Sequence, residues 1–252
     1  MAARIEAGSP SGRMIVNARS YDDLTVATEG IRRARRRGRR FLFRTAASFV
    51  RSYSGITERP LLAGEEIVDP TGSGILVIVG SYVPKTTAQL DRLLTAEAVE
   101  GVEFSARAVT AGNGDAEADR VLPLVESALR AGRTAVVYTS RDVLLTSRMQ
   151  SESNLEPSAA ISTALVSLVR RLQTRPRFLI GKGGITSSAV ATQGLGIRRA
   201  TVLGQILPGV PVWRQGAEAK WPGGSLIVFP GNVGDNNALR EVVAQLKQGD
   251  SA

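Results

Sequence analysis

The sequence contains no cysteine and no histidine, and these two absences exclude several kinds of chemistry. Without cysteine the chain has neither a disulfide nor a thiol nucleophile. Without histidine it has no imidazole general base, and a Cys/His zinc site is excluded as well. Any catalysis must therefore use carboxylates, lysine, arginine, hydroxyls, backbone amides or a metal held by oxygen ligands.

Long apolar runs are also missing. No segment is apolar over a length that could span a membrane, and no signal peptide is recognisable. The 252 residues, 43% of them hydrophobic, suit a globular protein with one large domain or two small ones. We therefore expect a cytoplasmic protein with no membrane partner.

Positive charge is concentrated in one short segment, Arg32 to Arg40. Its seven arginines account for most of the net charge of +9, which would be +2, nine minus seven, without them. Such a cluster could bind the phosphate backbone of a nucleic acid. It also suits a helix C-terminus, where cations are favourable and Gly38 can end the helix. We favour the solvated helix end and expect no nucleic-acid partner, because no aromatic residue interleaves with the arginines.

Alternating strands and helices predict an α/β fold, with a mostly parallel sheet covered by helices on both faces. Strands are predicted at 75–79, 102–104, 134–138, 178–180, 200–206, 210–213 and 226–229, and helices at 86–94, 116–130, 157–172 and 237–246. Before them, strands at 14–16 and 41–43 around a helix ending near 37 predict one βαβ unit. Because one such unit cannot bury both faces of its sheet, we interpret residues 1–62 as the remnant of a first domain plus a linker, and 63–252 as a second, more complete α/β domain.

Three predicted strands end in glycine-rich turns that carry hydroxyl or amide groups. These turns contain Gly80-Ser81, Gly183-Gly184-Ile185-Thr186, and Gly231-Asn232 with Gly234. If the three strands are neighbours in a parallel sheet, all three turns open on the same edge. Polar, glycine-rich loops gathered on one edge fit a nucleotide site.

The turn within LIGKGGITSSAV, residues 179–190, carries the strongest of these signals. A strand that passes through glycines into a helix start is a phosphate-binding geometry, because the first amides of the helix have no internal acceptor. The hydroxyls of Thr186 and Ser187 could cap that helix or donate to an anion. The alternative is an ordinary strand-to-helix turn. A P-loop is excluded, because Lys182 is followed by glycine and not by Ser or Thr.

Two further segments have open interpretations. The segment GSYVPKT, residues 80–86, has proline where a P-loop has glycine, so we interpret it as a helix N-terminus. Lys85 could reach a phosphate there, although a surface role is the more ordinary one. The segment PGNVGD, residues 230–235, could be only a turn into the last helix.

Six motifs in order resemble the C-terminal portion of the four-carbon acid sugar kinases, a family once known only as a domain of unknown function. The motifs are Asn17-Ala18 with YDDL at 21–24, RTAASFVR at 44–51, GSYVPKTTAQL at 80–90, GGITSSAV at 183–190, LPGVPVW at 207–213 and FPGNVGD at 229–235. The resemblance covers nearly the whole chain from about Met14.

The resemblance implies ATP-dependent phosphorylation of a sugar acid, such as a tetronate or its 3-oxo form. Nucleotide contacts would fall on Ser81, Gly183, Gly184, Ile185, Thr186 and Gly231. Mg2+ would bridge the phosphates, and no side chain is predicted as a metal ligand. The chain departs from the family pattern at Ile185, where many members carry Glu, and at Val233, where many carry Phe.

The resemblance also implies an N-terminal domain that carries most of the sugar-acid site and has no counterpart here. Residues 1–62 would then be the C-terminal remnant of that domain, and the chain alone would be an incomplete enzyme. A truncated reading frame and half of a split enzyme both fit. The expected partners are a small sugar acid, the missing domain or its partner chain, and a second copy in a homo-oligomer.

Individual catalytic and substrate residues are less well marked. Arg44 could pair with a substrate carboxylate, or it could form a structural ion pair. The catalytic base is unidentified; Asp235 is a candidate, with helix capping as the alternative. A different class of function also stays open, namely a nucleotide-binding module without activity.

Overall fold

In a computed structural model of the protein, residue 5, residues 12–141 and residues 155–248 are described. The chain divides into two compact units. The N-terminal unit comprises residues 1–60, and the C-terminal unit comprises residues 61–252.

Over residues 12–60 the N-terminal unit contains two helices, α1 (Tyr21–Arg36) and α2 (Ala47–Ser54). Helix α1 begins at a capping box: Ser20 Oγ accepts from the Asp23 amide at 3.2 Å, and the Asp23 carboxylate accepts from the Ser20 amide at 3.2 Å. Gly38, with φ +88°, follows its last turn. The predicted first helix and its glycine end are therefore confirmed.

Several of the clustered arginines form ion pairs, hydrogen bonds or ring contacts with other residues of the same unit. Glu29 contacts Arg33 at 3.4 Å and Arg36 at 3.0 Å along helix α1. Arg32 donates to the carbonyl of Tyr53, and its guanidinium lies 5.5 Å from the centre of the Tyr53 ring. Exposed ion pairs of this kind contribute little stability, but they agree with a solvated helix end.

The predicted strands at 14–16 and 41–43 are wrong. Neither segment is a strand, and the described part of the N-terminal unit contains helices without a sheet. A strand forms only where a neighbouring strand can pair with its backbone N–H and C=O groups. The apolar composition of a three-residue segment does not provide such a neighbour. Phe43 instead joins an aromatic cluster with α2, its ring lying 5.2 Å from that of Phe49 and 5.4 Å from that of Tyr53. Over residues 12–60 the predicted βαβ unit is therefore a pair of helices.

The C-terminal unit alternates strands and helices as predicted. Its strands are β1 (Ile75–Val79), β2 (Val99–Phe104), β3 (Thr134–Thr139), β4 (Phe178–Lys182), β5 (Ala200–Leu207), β6 (Val210–Gln215) and β7 (Ser225–Phe229). Its helices are α3 (Pro84–Leu94), α4 (Ala106–Thr110), α5 (Gly114–Arg130), α6 (Leu155–Arg171), α7 (Gly184–Ala189) and α8 (Ala238–Gln248). A 3-10 turn spans Gly64–Glu66, and a π-helical segment, Val190–Gly194, continues α7.

The seven strands form one sheet in the order β2-β3-β1-β4-β7-β6-β5. The first five strands in this order run parallel to one another, which confirms the predicted fold class. Strand β6 is antiparallel to both β7 and β5. Strand β5 forms one edge of the sheet, and its pairing with β6 shifts register twice, at Val202/Gly204 and at Gln205/Leu207.

Both faces of the inner strands β1, β3, β4 and β7 are buried, which explains why these parallel strands are largely apolar, whereas the edge strand β2 is only partly buried. Val77 and Val79 of β1 belong to a core with residues of α3 and α8. Leu76 and Ile78 of the same strand belong to a second core, on the opposite face, with residues of α5 and α6. None of the helices described is long and apolar enough to cross a membrane.

The strand order creates a switch point between β1 and β4. From β1 the chain passes through α3 to β2 at one edge of the sheet, and from β4 it passes through α7 to β5 at the other edge. Helix α3 and the segment that continues α7 pack on opposite faces. In open α/β sheets this arrangement leaves a crevice beyond the carboxyl ends of the two strands.

Val77, at the centre of β1, tests how strongly the buried sheet stabilises the unit. It is 0% exposed, so Val77→Ala removes two buried methyl groups and should lower the free energy of unfolding by about 2 kcal/mol. Urea denaturation measures this change. The matched control is Val202→Ala on β5, where the side chain is 65% exposed and the expected change is under about 0.5 kcal/mol. Equal losses in the two variants would contradict the prediction.

Candidate functional site

Three loops meet at the carboxyl edge of the sheet, directly after β1, β4 and β7. Strand β4 pairs in parallel with both neighbours, so that Lys182 lies opposite Val79 of β1 and Phe229 of β7. We call the following segments the β1 loop (residues 80–83), the β4 turn (residues 183–186) and the β7 loop (residues 230–237). The prediction that the three glycine-rich turns open on one edge is confirmed.

The three segments approach one another so closely that side chains are excluded at two glycines. Gly183 has φ +113°, and a Cβ there would lie 2.8 Å from Cβ of Ser81. A Cβ on Gly231 would lie 3.0 Å from Oγ of Ser81. Ser81 is therefore enclosed by the two other segments, and the structure brings together three of the predicted nucleotide residues.

The β4 turn leaves the start of α7 open. A Cβ built on Gly184 meets no atom within 4 Å, and Ile185 is 83% exposed. The amides of Gly184, Ile185 and Thr186 are the first of the helix and have no acceptor within it. A ligand can therefore approach these amides, and the helix dipole favours a negatively charged one.

The hydroxyls of this turn do not cap α7, contrary to one of the two predicted roles. The N-terminal capping position is Gly183, which has no side chain to accept a hydrogen bond. Ser187 Oγ instead donates to the carbonyl of Gly181 at 2.6 Å, inside the protein. Thr186 is buried beside Gly80, where a Cβ would lie 2.4 Å from its Oγ1. Ser187 therefore closes the turn onto β4.

Polar side chains from α3 hold the β7 loop. Thr86 Oγ1 donates to the carbonyl of Gly231 at 2.9 Å, and Gln89 Nε2 donates to the carbonyls of Val233 at 2.9 Å and Asp235 at 2.6 Å. Lys85 is exposed and donates to the carbonyl of Gly234 at 3.1 Å, in agreement with its predicted surface role.

Asp235 shapes the turn before α8. Its side chain is exposed, and Oδ1 accepts a hydrogen bond from the amide of Asn237 at 2.9 Å, one residue before the helix begins. This contact corresponds to the turn-forming role that the sequence allowed. The role of Asp235 as a catalytic base stays a prediction. So does the role of Arg44, which is exposed in the N-terminal unit.

Lys182, the last residue of β4, was not predicted as a site residue. It is fully buried, its Nζ donates to the carbonyl of Pro230 at 2.7 Å, and it lies 4.0 Å from the centre of the Phe229 ring. Burial, and secondarily the charge of Lys85, lowers the pKa of Lys182 to about 7. The sequence signal is a lysine directly between a buried apolar strand and two glycines.

Lys182 should make folding stability depend on pH. Because an unperturbed lysine has a pKa of about 10.4, the unfolded chain binds a proton that the folded chain lacks between roughly pH 7 and 10. The free energy of unfolding should therefore rise with pH across this range, by at most about 1.4 kcal/mol per pH unit from this group. Below pH 7 Lys182 is protonated in both the folded and the unfolded chain, and the free energy of unfolding is lowered by the full cost of burying its charge.

The test compares denaturation of the unaltered chain and Lys182→Met from pH 6 to 10. In Lys182→Met most of the increase in the free energy of unfolding between pH 7 and 10 should disappear, because the variant removes the buried titrating group. Lys85→Met is the control and should keep most of it, since Lys85 is the smaller cause of the shift. An unchanged slope in Lys182→Met would contradict the assignment.

Comparison with solved structures shows that the fold is shared with larger proteins. A Salmonella typhimurium LT2 protein provisionally named a tRNA synthase is 20% identical, with a TM-score of 0.64 over 92% of this chain and 51% of that protein. A Haemophilus influenzae protein of the DUF1537 family is 22% identical, with a TM-score of 0.65 over 91% of this chain and 52% of that one. The chain therefore spans about half the length of these structures.

A Bordetella bronchiseptica protein with the same DUF1537 domain of unknown function is 15% identical, with a TM-score of 0.53 over 73% of this chain and 41% of that protein. It was crystallised with bound citrate as a domain-swapped dimer. At these low identities the likeness shows a common fold. Comparison with curated protein sequences gave no match.

The family assignment rests on a match to the sequence itself. The model of the nucleotide-binding C-terminal domain matches residues 76–239, which is more than half of the chain and includes the β1 loop, the β4 turn and the β7 loop. This match and the DUF1537 structures confirm the resemblance that the six motifs indicated. The chain belongs to the family of the nucleotide-binding C-terminal domain.

Proposed function

We propose that this chain supplies the ATP-binding half of a kinase that phosphorylates a four-carbon sugar acid, a tetronate or its 3-oxo form. The observation that carries the proposal is the meeting of three glycine-rich segments at the switch point of a parallel sheet, in a member of a nucleotide-binding family. The sugar acid comes from the sequence resemblance.

The phosphates of ATP would bind where backbone amides are open. The amides of Gly184, Ile185 and Thr186 would donate to phosphate oxygens, and the open space at Gly184 admits them. Gly231 would bring the β7 loop close to the same oxygens, with Ser81 between the two segments. The predicted nucleotide contacts thus share one edge of the sheet, which supports the proposal.

Mg2+ would bind mainly through the nucleotide. Among the described residues there is no group of three or more acidic side chains that could hold a metal ion. When bound, Mg2+ supplies charge neutralisation at the phosphates. The chain itself contributes backbone amides and the dipole of α7 to the same end.

Phosphoryl transfer depends mainly on positioning and on neutralising charge. Within this proposal Asp235, in the C-terminal unit, is the candidate for accepting the proton of the attacking hydroxyl. Arg44, in the N-terminal unit, stays a separate candidate for pairing with a substrate carboxylate. A sugar-acid domain, or a partner chain that carries it, would hold the acceptor in line. A nucleotide-binding module without activity is the alternative, and the assays below distinguish the two.

Self-association is also part of the proposal. The Bordetella bronchiseptica relative forms a domain-swapped dimer. In this chain the N-terminal unit exposes large apolar side chains, among them Ile15 and Leu42. Exposed apolar surface favours association with another surface, whether a second copy or the sugar-acid domain.

Gly184→Val should weaken ATP binding without unfolding the protein. A Cβ at this position meets no protein atom within 4 Å, and the added side chain should fill the space in front of the first amides of α7, so ATP affinity should fall at least about tenfold. Isothermal titration calorimetry measures the affinity. The control Ser188→Val places the same side chain at an exposed position later in α7 and should bind ATP normally. Normal affinity in Gly184→Val would show that the turn is only structural.

Kinase activity should require a sugar-acid domain. The chain alone should bind ATP but form no sugar-acid phosphate, because losing alignment of the acceptor can raise the barrier by about 7–11 kcal/mol. The assay measures ADP formation with a panel of tetronates, for the chain alone and with the N-terminal half of a related kinase added. Rapid turnover by the chain alone would refute the half-enzyme proposal. ATP binding without turnover in either mixture would favour the inactive module.

A further inference from the structure

Three buried side chains donate hydrogen bonds to carbonyl groups of the β7 loop. Thr86 donates to the carbonyl of Gly231, Gln89 to those of Val233 and Asp235, and Lys182 to that of Pro230, at donor–acceptor distances of 2.6 to 2.9 Å. Lys85, which is exposed, donates a hydrogen bond to the carbonyl of Gly234 at 3.1 Å. Five of the six carbonyls between residues 230 and 235 therefore point towards α3 and the end of β4.

The carbonyl directions fix the directions of the amides. In a planar trans peptide the C=O of one residue and the N–H of the next point in opposite directions, and no described peptide bond is cis. Each of the five hydrogen-bonded carbonyls therefore directs the amide of the next residue away from α3 and β4. These amides belong to Gly231, Asn232, Gly234, Asp235 and Asn236.

These outward amides have no acceptor among the residues that the structure describes. Backbone and side-chain hydrogen bonds of the β7 loop involve its carbonyls, the Asp235 carboxylate and the amides of Asn237 and Ala238, but none of those five amides. Asn232, Asp235 and Asn236 are exposed, so solvent and ligands reach this side of the loop. Successive free backbone amides of this kind bind anions.

We infer that Thr86, Gln89 and Lys182 are positioning residues, which hold the β7 loop by its carbonyls so that its amides face the phosphates of the nucleotide. The inference rests on the proposed ATP site and adds the part of the protein that orients it. The three side chains are each 0% exposed, so they act through the loop and do not touch the ligand. Helix α3 is thereby tied to the β7 loop across the switch point.

A packing role and a positioning role for Thr86 predict opposite results for two small substitutions. Thr86→Val keeps the size of the side chain and removes the hydroxyl that donates to Gly231. Thr86→Ser keeps the hydroxyl and removes a buried methyl group. We expect Thr86→Val to lower ATP affinity about tenfold or more, and Thr86→Ser to stay within about twofold of the unaltered chain.

The measurement is calorimetric titration of the full chain with Mg-ATP, below the unfolding midpoint of every variant. Gln89→Leu, which removes two further donors, should also weaken binding. The matched control is Leu93→Val in the same helix: Leu93 is 0% exposed and contacts the core, so this variant loses packing but keeps every bond to the loop. Its ATP affinity should be unchanged.

The outcomes separate this inference from the proposed function. A loss in Thr86→Val that exceeds the loss in Thr86→Ser at least about fivefold supports positioning. Any other order of the two variants, or an equal loss in Leu93→Val, overturns the inference while ATP binding by the unaltered chain stands. Failure of the unaltered chain to bind ATP refutes the proposed function and the inference together.

Discussion

The parallel pairing of β4 with β1 on one side and β7 on the other is the constraint on which the site depends. Side chains on both faces of these strands are buried, so a slip of one residue would turn every core side chain to the wrong face. The pairing is therefore fixed, with Lys182 opposite both Val79 and Phe229. Because the strands end together, the segments that follow them must meet, and their glycines allow them to do so.

The sequence predicted those parts of the structure that have a local signal. Largely apolar runs marked the inner parallel strands, and glycines with hydroxyl or amide residues marked the turns at 80–81, 183–186 and 231–234. The end of helix α1 was marked by its arginines and by Gly38. Such signals rest on the conformational freedom of glycine and on capping, which act within a few residues.

The remainder depends on contacts between distant parts of the chain. The triplets at 14–16 and 41–43 have the composition of strands, but pairing decides whether a strand forms. Gln89 and Asp235 are 146 residues apart in the chain, and Lys182 and Pro230 are 48 apart. The sequence near Gln89 and Lys182 therefore does not indicate which carbonyl groups accept their hydrogen bonds. The sequence likewise allowed the hydroxyl of Ser187 to cap the helix or to donate to an anion, and only the folded turn shows that it donates to the carbonyl of Gly181.

The two register shifts in β5 affect how the sheet can meet another protein. An edge strand offers a row of free backbone groups to which a further strand can add, but a bulged strand offers that row at irregular spacing and with stronger twist. At the opposite edge, β2 carries the exposed carboxylate of Glu103, which opposes pairing with a like-charged copy, while Glu100 forms an ion pair with Arg133. Neither edge is therefore suited to extending the sheet into a second molecule, and assembly of this chain would use faces or exchanged segments instead of a continuous intermolecular sheet.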